Sequence, residues 1–165
     1  MRRSWLVLIA LLFWSCPASA QLTTLNIAFV SDPGGITLSG SGTSSASLSF
    51  SSVQAFGGTV PTGVIKNVGA NNWSLSTPID VQVQKGLLDT TDLLSTSYTM
   101  TARLQSADLQ NTWKLNSTTL STTLATVTSS GAYTSIVAYT FSLTIPFSTS
   151  AGTISNTINI TVTAN

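Results

Sequence analysis

Apolar residues in this chain recur at every second position, a period that fits a strand with one buried face and does not fit a helix. In the clearest run, Val137, Tyr139, Phe141, Leu143 and Ile145 alternate with Ala138, Thr140, Ser142 and Thr144. Leu25, Ile27 and Phe29 alternate in the same way, as do Ile79, Val81 and Val83, then Tyr98, Met100, Ala102 and Leu104, and finally Ile158, Ile160 and Val162. One face of each run is apolar and the other rich in hydroxyls, a pattern that antiparallel sheets accommodate and parallel sheets rarely do. Weaker strands are expected at Ala46–Phe50, Gly63–Val68, Trp73–Leu75, Trp113–Leu115 and Thr122–Val127.

Turn chemistry separates them: Asp32-Pro33-Gly34-Gly35, Gly57-Gly58, Pro61-Thr62-Gly63, Gly69-Ala70-Asn71-Asn72 and Ser129-Ser130-Gly131. No segment carries a helical stripe; Gly86–Leu94, with Leu87, Leu88, Leu93 and Leu94, reads as a helical turn or a plugging loop. Seven to nine strands without βαβ alternation predict an all-β fold, a single antiparallel β-sandwich, with a closed barrel left open by spacing alone. Pro146 ends the longest run, and Ser148–Gly152 is expected to turn the chain back so that the last two strong strands form a hairpin. That hairpin would complete its own sheet and put Tyr139, Phe141 and Leu143 on one core with Ile158 and Ile160. The competing reading lends Leu22, Leu25, Ile27 and Phe29 to a neighbouring subunit as a donated strand.

Residues 1–20 read as a cleaved signal peptide, followed by the sandwich domain at 21–165. Arg2 and Arg3 give the positive start, Trp5 to Trp14 the apolar run, and Ala18 and Ala20 the small residues before cleavage at Gln21. The apolar run is half of the ~20 residues needed to span a bilayer, so no membrane span is expected in the mature chain. Phe13 and Trp14 stand where a lipidation motif at Cys16, the single cysteine, would want small residues. The expected localisation is export to the periplasm, cell surface or medium.

The mature chain then has four basic residues (Lys66, Lys85, Arg103, Lys114), five acidic ones and no cysteine, so packing and not disulfides must hold it. Serine and threonine make up 50 of its 145 residues, so the surface is wetted by hydroxyls more than by ions. The near-zero charge offers no field for nucleic acid. The whole chain lacks His and Glu, which removes histidine triads, His-ligated zinc and Glu acids. No serine stands three before a lysine, and no Gly-rich phosphate loop is present. Asp32, Asp80, Asp89, Asp92 and Asp108 are scattered without a calcium-loop pattern, so no metal and no cofactor is expected.

Three features invite function. Trp73 and Trp113, if exposed, would stack on sugar rings; packing against the core is the competing expectation. Thr157, Thr161 and Thr163, with Asn159 between, resemble the threonine rows of ice-binding faces, or form an ordinary polar strand face. Asp89 and Asp92 are the candidates for an Asp-based glycoside hydrolase, against plain solvation in a loop. The sequons at Asn72, Asn116 and Asn159 matter only in a host that glycosylates.

The closing segment, Leu143-Thr144-Ile145-Pro146 through Ala151-Gly152-Thr153-Ile154 to Asn159-Ile160-Thr161-Val162, resembles the ending of secreted bacterial surface sandwiches of the spore coat protein U and pilin-subunit group. The resemblance implies an immunoglobulin-like sandwich at the cell surface, with no catalytic residues to carry over. The leading expectation is a non-enzymatic structural or adhesive surface protein, an appendage or coat subunit that self-associates or meets other surface proteins. A carbohydrate-binding module that uses exposed Trp to hold glycans stands second, and the hydrolase third.

Overall fold

The computed structural model describes residues 25–31, 34–50, 53–55, 60–86 and 95–165. Residues 1–24, which include the expected signal peptide with Cys16, Ala18 and Ala20, the expected cleavage position Gln21, and Leu22, lie outside the described residues, as do Asp32, Gly57-Gly58 and residues 87–94 with Asp89 and Asp92.

In chain order the strands are β1 (Leu25–Phe29), β2 (Ile36–Ser39), β3 (Ser45–Phe50), β4 (Val53–Gln54), β5 (Ile65–Val68), β6 (Asn72–Lys85) and β7 (Ser97–Leu104). They continue as β8 (Thr112–Leu115), β9 (Thr118–Thr119), β10 (Ala125–Ala132), β11 (Ile136–Pro146), β12 (Thr153–Ile154) and β13 (Ile158–Ala164). The expected seven to nine is thus an undercount; β4, β9 and β12 have only two residues each, too few to leave an alternating pattern. No helix occurs among the described residues.

All pairings are antiparallel. One sheet runs β1-β6-β11-β8-β9, with β5 also on β6; the second runs β10-β7-β13-β3-β2; β12 and β4 form a small ladder. We call the first two sheets A and B. Their inward residues share one core, in which Phe50 of β3 stacks on Phe141 of β11 with ring centroids 4.3 Å apart. The molecule is therefore a sandwich of two facing sheets.

The centre of sheet A is the ladder from Ile136↔Gln82 to Pro146↔Asn72. It joins Trp73–Leu75 and Ile79–Val83, read separately in the sequence, into one strand through Pro78. A proline inside a central strand needs an explanation. Opposite it, Thr140 turns its backbone the other way: its N–H donates to Asn116 Oδ1 (2.7 Å) and its carbonyl accepts from Asn116 N (2.8 Å). Pro78 must then face its backbone away from β11, toward the flank between Ile65 at the start of β5, opposite Ser76, and Phe29 at the end of β1, opposite Val81. Its missing N–H leaves no ladder bond unmade.

Two further expectations are corrected. The last strong strands do not form a hairpin: β11 lies in sheet A, whereas β13 lies in sheet B between β7 and β3. The intervening β12 pairs with β4 and carries the chain across. Tyr139, Phe141, Leu143, Ile158 and Ile160 do share the core, but from opposite sheets. Ser129-Ser130-Gly131 is not a turn either; it lies within β10, whose register with β7 breaks between Thr126 and Thr128 and again between Thr128 and Gly131. The turn comes at Tyr133 and Thr134, where Thr134 takes φ 64°. β1 pairs with β6 of its own chain.

Candidate functional site

Trp73 follows the inward parity of Leu75 on β6, and Trp113 that of Leu115 on β8. Both indoles are consequently buried, with 5 % and 1 % of their surface exposed. Trp73 Nε1 donates to the Ala55 carbonyl (2.9 Å), and the Lys66 ammonium sits 4.6 Å from its ring centroid. Trp113 packs on Phe141 and Phe50, with centroids 6.1 and 6.2 Å away. Of the two readings, packing against the core holds and exposure for stacking on sugars does not: alternation on a sheet sends both positions inward, and neither presents an open face.

Trp113 leads to a cluster that sequence reading passed over. Its Nε1 donates to Asp108 Oδ2 (2.7 Å), and Asp108 Oδ1 accepts from the backbone N–H groups of Gln110 (3.0 Å) and Asn111 (2.9 Å). The Asn111 amide adds contacts of 3.2 and 3.0 Å to the two oxygens. Burial by itself would raise the Asp108 carboxyl; the hydrogen bonds from Trp113, then Asn111 and Gln110, outweigh it and hold the group below the ordinary carboxylate range. The same loop is tied to the turn after β11: Thr149 Oγ1 donates to Asn111 Oδ1 (3.1 Å) and Gln110 Nε2 to Ser150 Oγ (3.3 Å). Between the two loops lies an open polar depression of about 310 Å³. Its one carboxylate is already occupied by protein donors, so the cluster works as a clamp on Trp113. The signal for it was the placement of Asp108 before Gln110 and Asn111, the pattern of an Asx turn.

The outer face of sheet B is organised differently. Cross-strand registers set Ser39, Ser47, Asn159 and Arg103 in one row, and Ser45, Thr161, Thr101 and Thr126 in the next. Of the threonine row expected on the last strand, Thr161 and Thr163 fall on β13 and Thr157 precedes it. A shallow depression of about 370 Å³ lies among Ser39, Ser45, Ser47, Arg103, Asn159 and Thr161. Its chemistry is that of hydroxyl and amide hydrogen bonding beside one guanidinium.

Of the two described aspartates, Asp80 stands on β6 in sheet A, and Asp108 follows β7 of sheet B. Among the described residues no three His, Cys, Asp or Glu side chains gather as a metal site, and no helix is long and apolar enough to cross a membrane. No protein-family model matches the chain, and no curated protein or solved structure matches it either.

Proposed function

We propose that the chain is an exported, non-enzymatic structural or adhesive protein that works through the surfaces of its sandwich, of the immunoglobulin-like kind that the C-terminal resemblance implies. The observation that supports this reading is the outer face of sheet B, where rows of Ser, Thr and Asn run across four strands in register. Such a face is rich in hydroxyls and amides, uncharged but for Arg103, and suited to contact over an area more than to chemistry in a cleft. The Asp108 carboxylate, with its fixed protein donors, fits the same reading.

Fractionation and surface labelling of native cells, with mass spectrometry of the N-terminus, tests the proposal. Recovery outside the cytoplasm with a chain beginning at Gln21 is the expected result. A cytoplasmic chain that still begins at Met1 would overturn it.

A further inference from the structure

We infer that the outer edge of β2 is a self-association edge, where two copies of the chain pair their β2 strands antiparallel about Thr37. A sheet edge presents unpaired backbone groups, and folded proteins usually block them. Among the described residues, every other edge of the two large sheets is blocked, charged, very short or interrupted. On β1, Ile27 N donates to Thr43 O (2.8 Å) and its carbonyl accepts from Gly42 N (2.7 Å). β5 carries the charge of Lys66 in its middle, β9 has two residues, and the register of β10 breaks twice. Among the described edges, β2 is the one longer than two residues that is uncharged, free of proline, paired without a break along its inner side and not bonded along its outer side in the way Thr43 and Gly42 bond β1.

The register of sheet B fixes which groups β2 offers. Val162 N donates to Ser44 O (3.0 Å), so alternate residues of β3, Ala46 and Leu48 among them, turn their backbone to β13. Ser47 and Ser49 then turn theirs to β2, where their partners are Ser39 and Thr37. By alternation, the N–H and C=O groups of Ile36 and Leu38 point outward.

The strand is also self-complementary. Ile36 is buried and Leu38 packs against the core, whereas Thr37 and Ser39 are exposed on the outer face. Of the antiparallel registers that keep inner face beside inner face, the one that sets Ile36 against Leu38 of the second copy and Thr37 against Thr37 engages the outward backbone groups of both Ile36 and Leu38. Each Ile36–Leu38 pairing then exchanges two backbone hydrogen bonds, and the Thr37 pair takes the close, non-hydrogen-bonded position. Like charges meet nowhere along the strand. Gly35 (φ 71°) and Gly40 (φ 80°) bend the chain away at both ends and confine the contact to these four residues. So short an edge makes a small interface, weak and dependent on concentration.

The contact deepens the structural reading above and rests on it for its biological use alone; cell fractionation tests that reading, and the following tests the contact. In a C16S background, mild oxidation of T37C is expected to give covalent dimer, because opposed residues of such a pair bring their Cβ atoms to about 4.5–5.5 Å, within small adjustments of disulfide range. T126C, on the opposite edge of sheet B, is the control and should stay monomeric. Sedimentation velocity should show concentration-dependent dimer for the unmodified chain and for T126K, and monomer for T37K, with circular dichroism confirming that T37K is folded. A chain that is monomeric at every concentration, T37C cross-linking no more than T126C, or folded T37K that still dimerises would overturn the inference.

Discussion

The two ends of β7 hold buried aromatic rings by different means. Beyond Leu104, the indole of Trp113 has its one polar atom satisfied by Asp108, and the carboxylate is held in turn by backbone donors from Gln110 and Asn111. At the start of the strand, roughly 20 Å away at ~3.3 Å per residue, the Tyr98 phenol is fully buried and its Oη meets no hydrogen-bond partner of good geometry among the described residues. Burial pushes this phenol above its ordinary range, and the neighbouring Tyr139 and Tyr133 push the same way. Its ring is held by shape. Gly131 stands directly opposite in β10, and a Cβ built there would lie 2.2 Å from Tyr98 Cζ, so the ring fills the space that any other residue would occupy. One end is fastened by polar bonds and the other by a fitted hole. A large aromatic residue needs only one of the two.

Substitutions at the two ends should separate these means. The largest effect is expected for W113A, a loss of about 3–5 kcal/mol in the denaturant midpoint analysis, since it empties the space beside Phe50 and Phe141. G131A should cost about 3 kcal/mol by overpacking, and much of that loss should vanish in the double variant G131A/Y98L. An additive double variant would show that the ring is not what the glycine accommodates.

D108A should cost about 2 kcal/mol, because the Trp113 indole N–H and two backbone amides lose a charged acceptor. The sign of its pH dependence follows from the lowered carboxyl. The stability contributed by Asp108 is complete above the ordinary aspartate value of about 3.9 and is lost as pH falls through the lower folded value. Urea titrations on the acid side should therefore show a shallower decline for D108A than for the unmodified chain. The smallest effect is expected at the other end: Y98F should be neutral or stabilising by up to about 1 kcal/mol, since it removes a hydroxyl without a partner among the described residues. A clear loss on Y98F would erase the contrast between the two ends.

What could be read from the sequence follows from what a period of two encodes. It marks which residues of a strand point inward, and β1, β6, β7, β11 and β13 were visible for that reason. It carries no record of which sheet a strand joins, so β11 and β13 read as a hairpin although they face each other across the core. Turn composition misled at Ser129-Ser130-Gly131 because a glycine that admits a neighbouring ring looks the same in sequence as a glycine that turns the chain. The site was less legible. Trp73 and Trp113 were recognised as residues of consequence, but only the parity of their strands decides that they face inward. Asp108 looked like one acid among five until the fold brought Trp113 to it. The β2 edge was passed over because four residues, Ile36 to Ser39, give barely one repeat of the pattern.

The position of β13 between β3 and β7 also sets a timetable. During synthesis, β7 is finished at Leu104, yet the strand that pairs with it and with β3 begins only at Ile158. At about 5–20 residues per second, several seconds pass before the middle of sheet B exists. Throughout that interval β3 and β7 are apolar strands with an empty slot between them, and nothing made earlier in the described chain is placed to fill it. The sheet cannot close from one side inward; it closes at its centre, in one late step. A ribosome that pauses between Leu104 and Ile158 would hold the chain open, and a chain handed to an export channel in that window would arrive without a finished sheet to unravel.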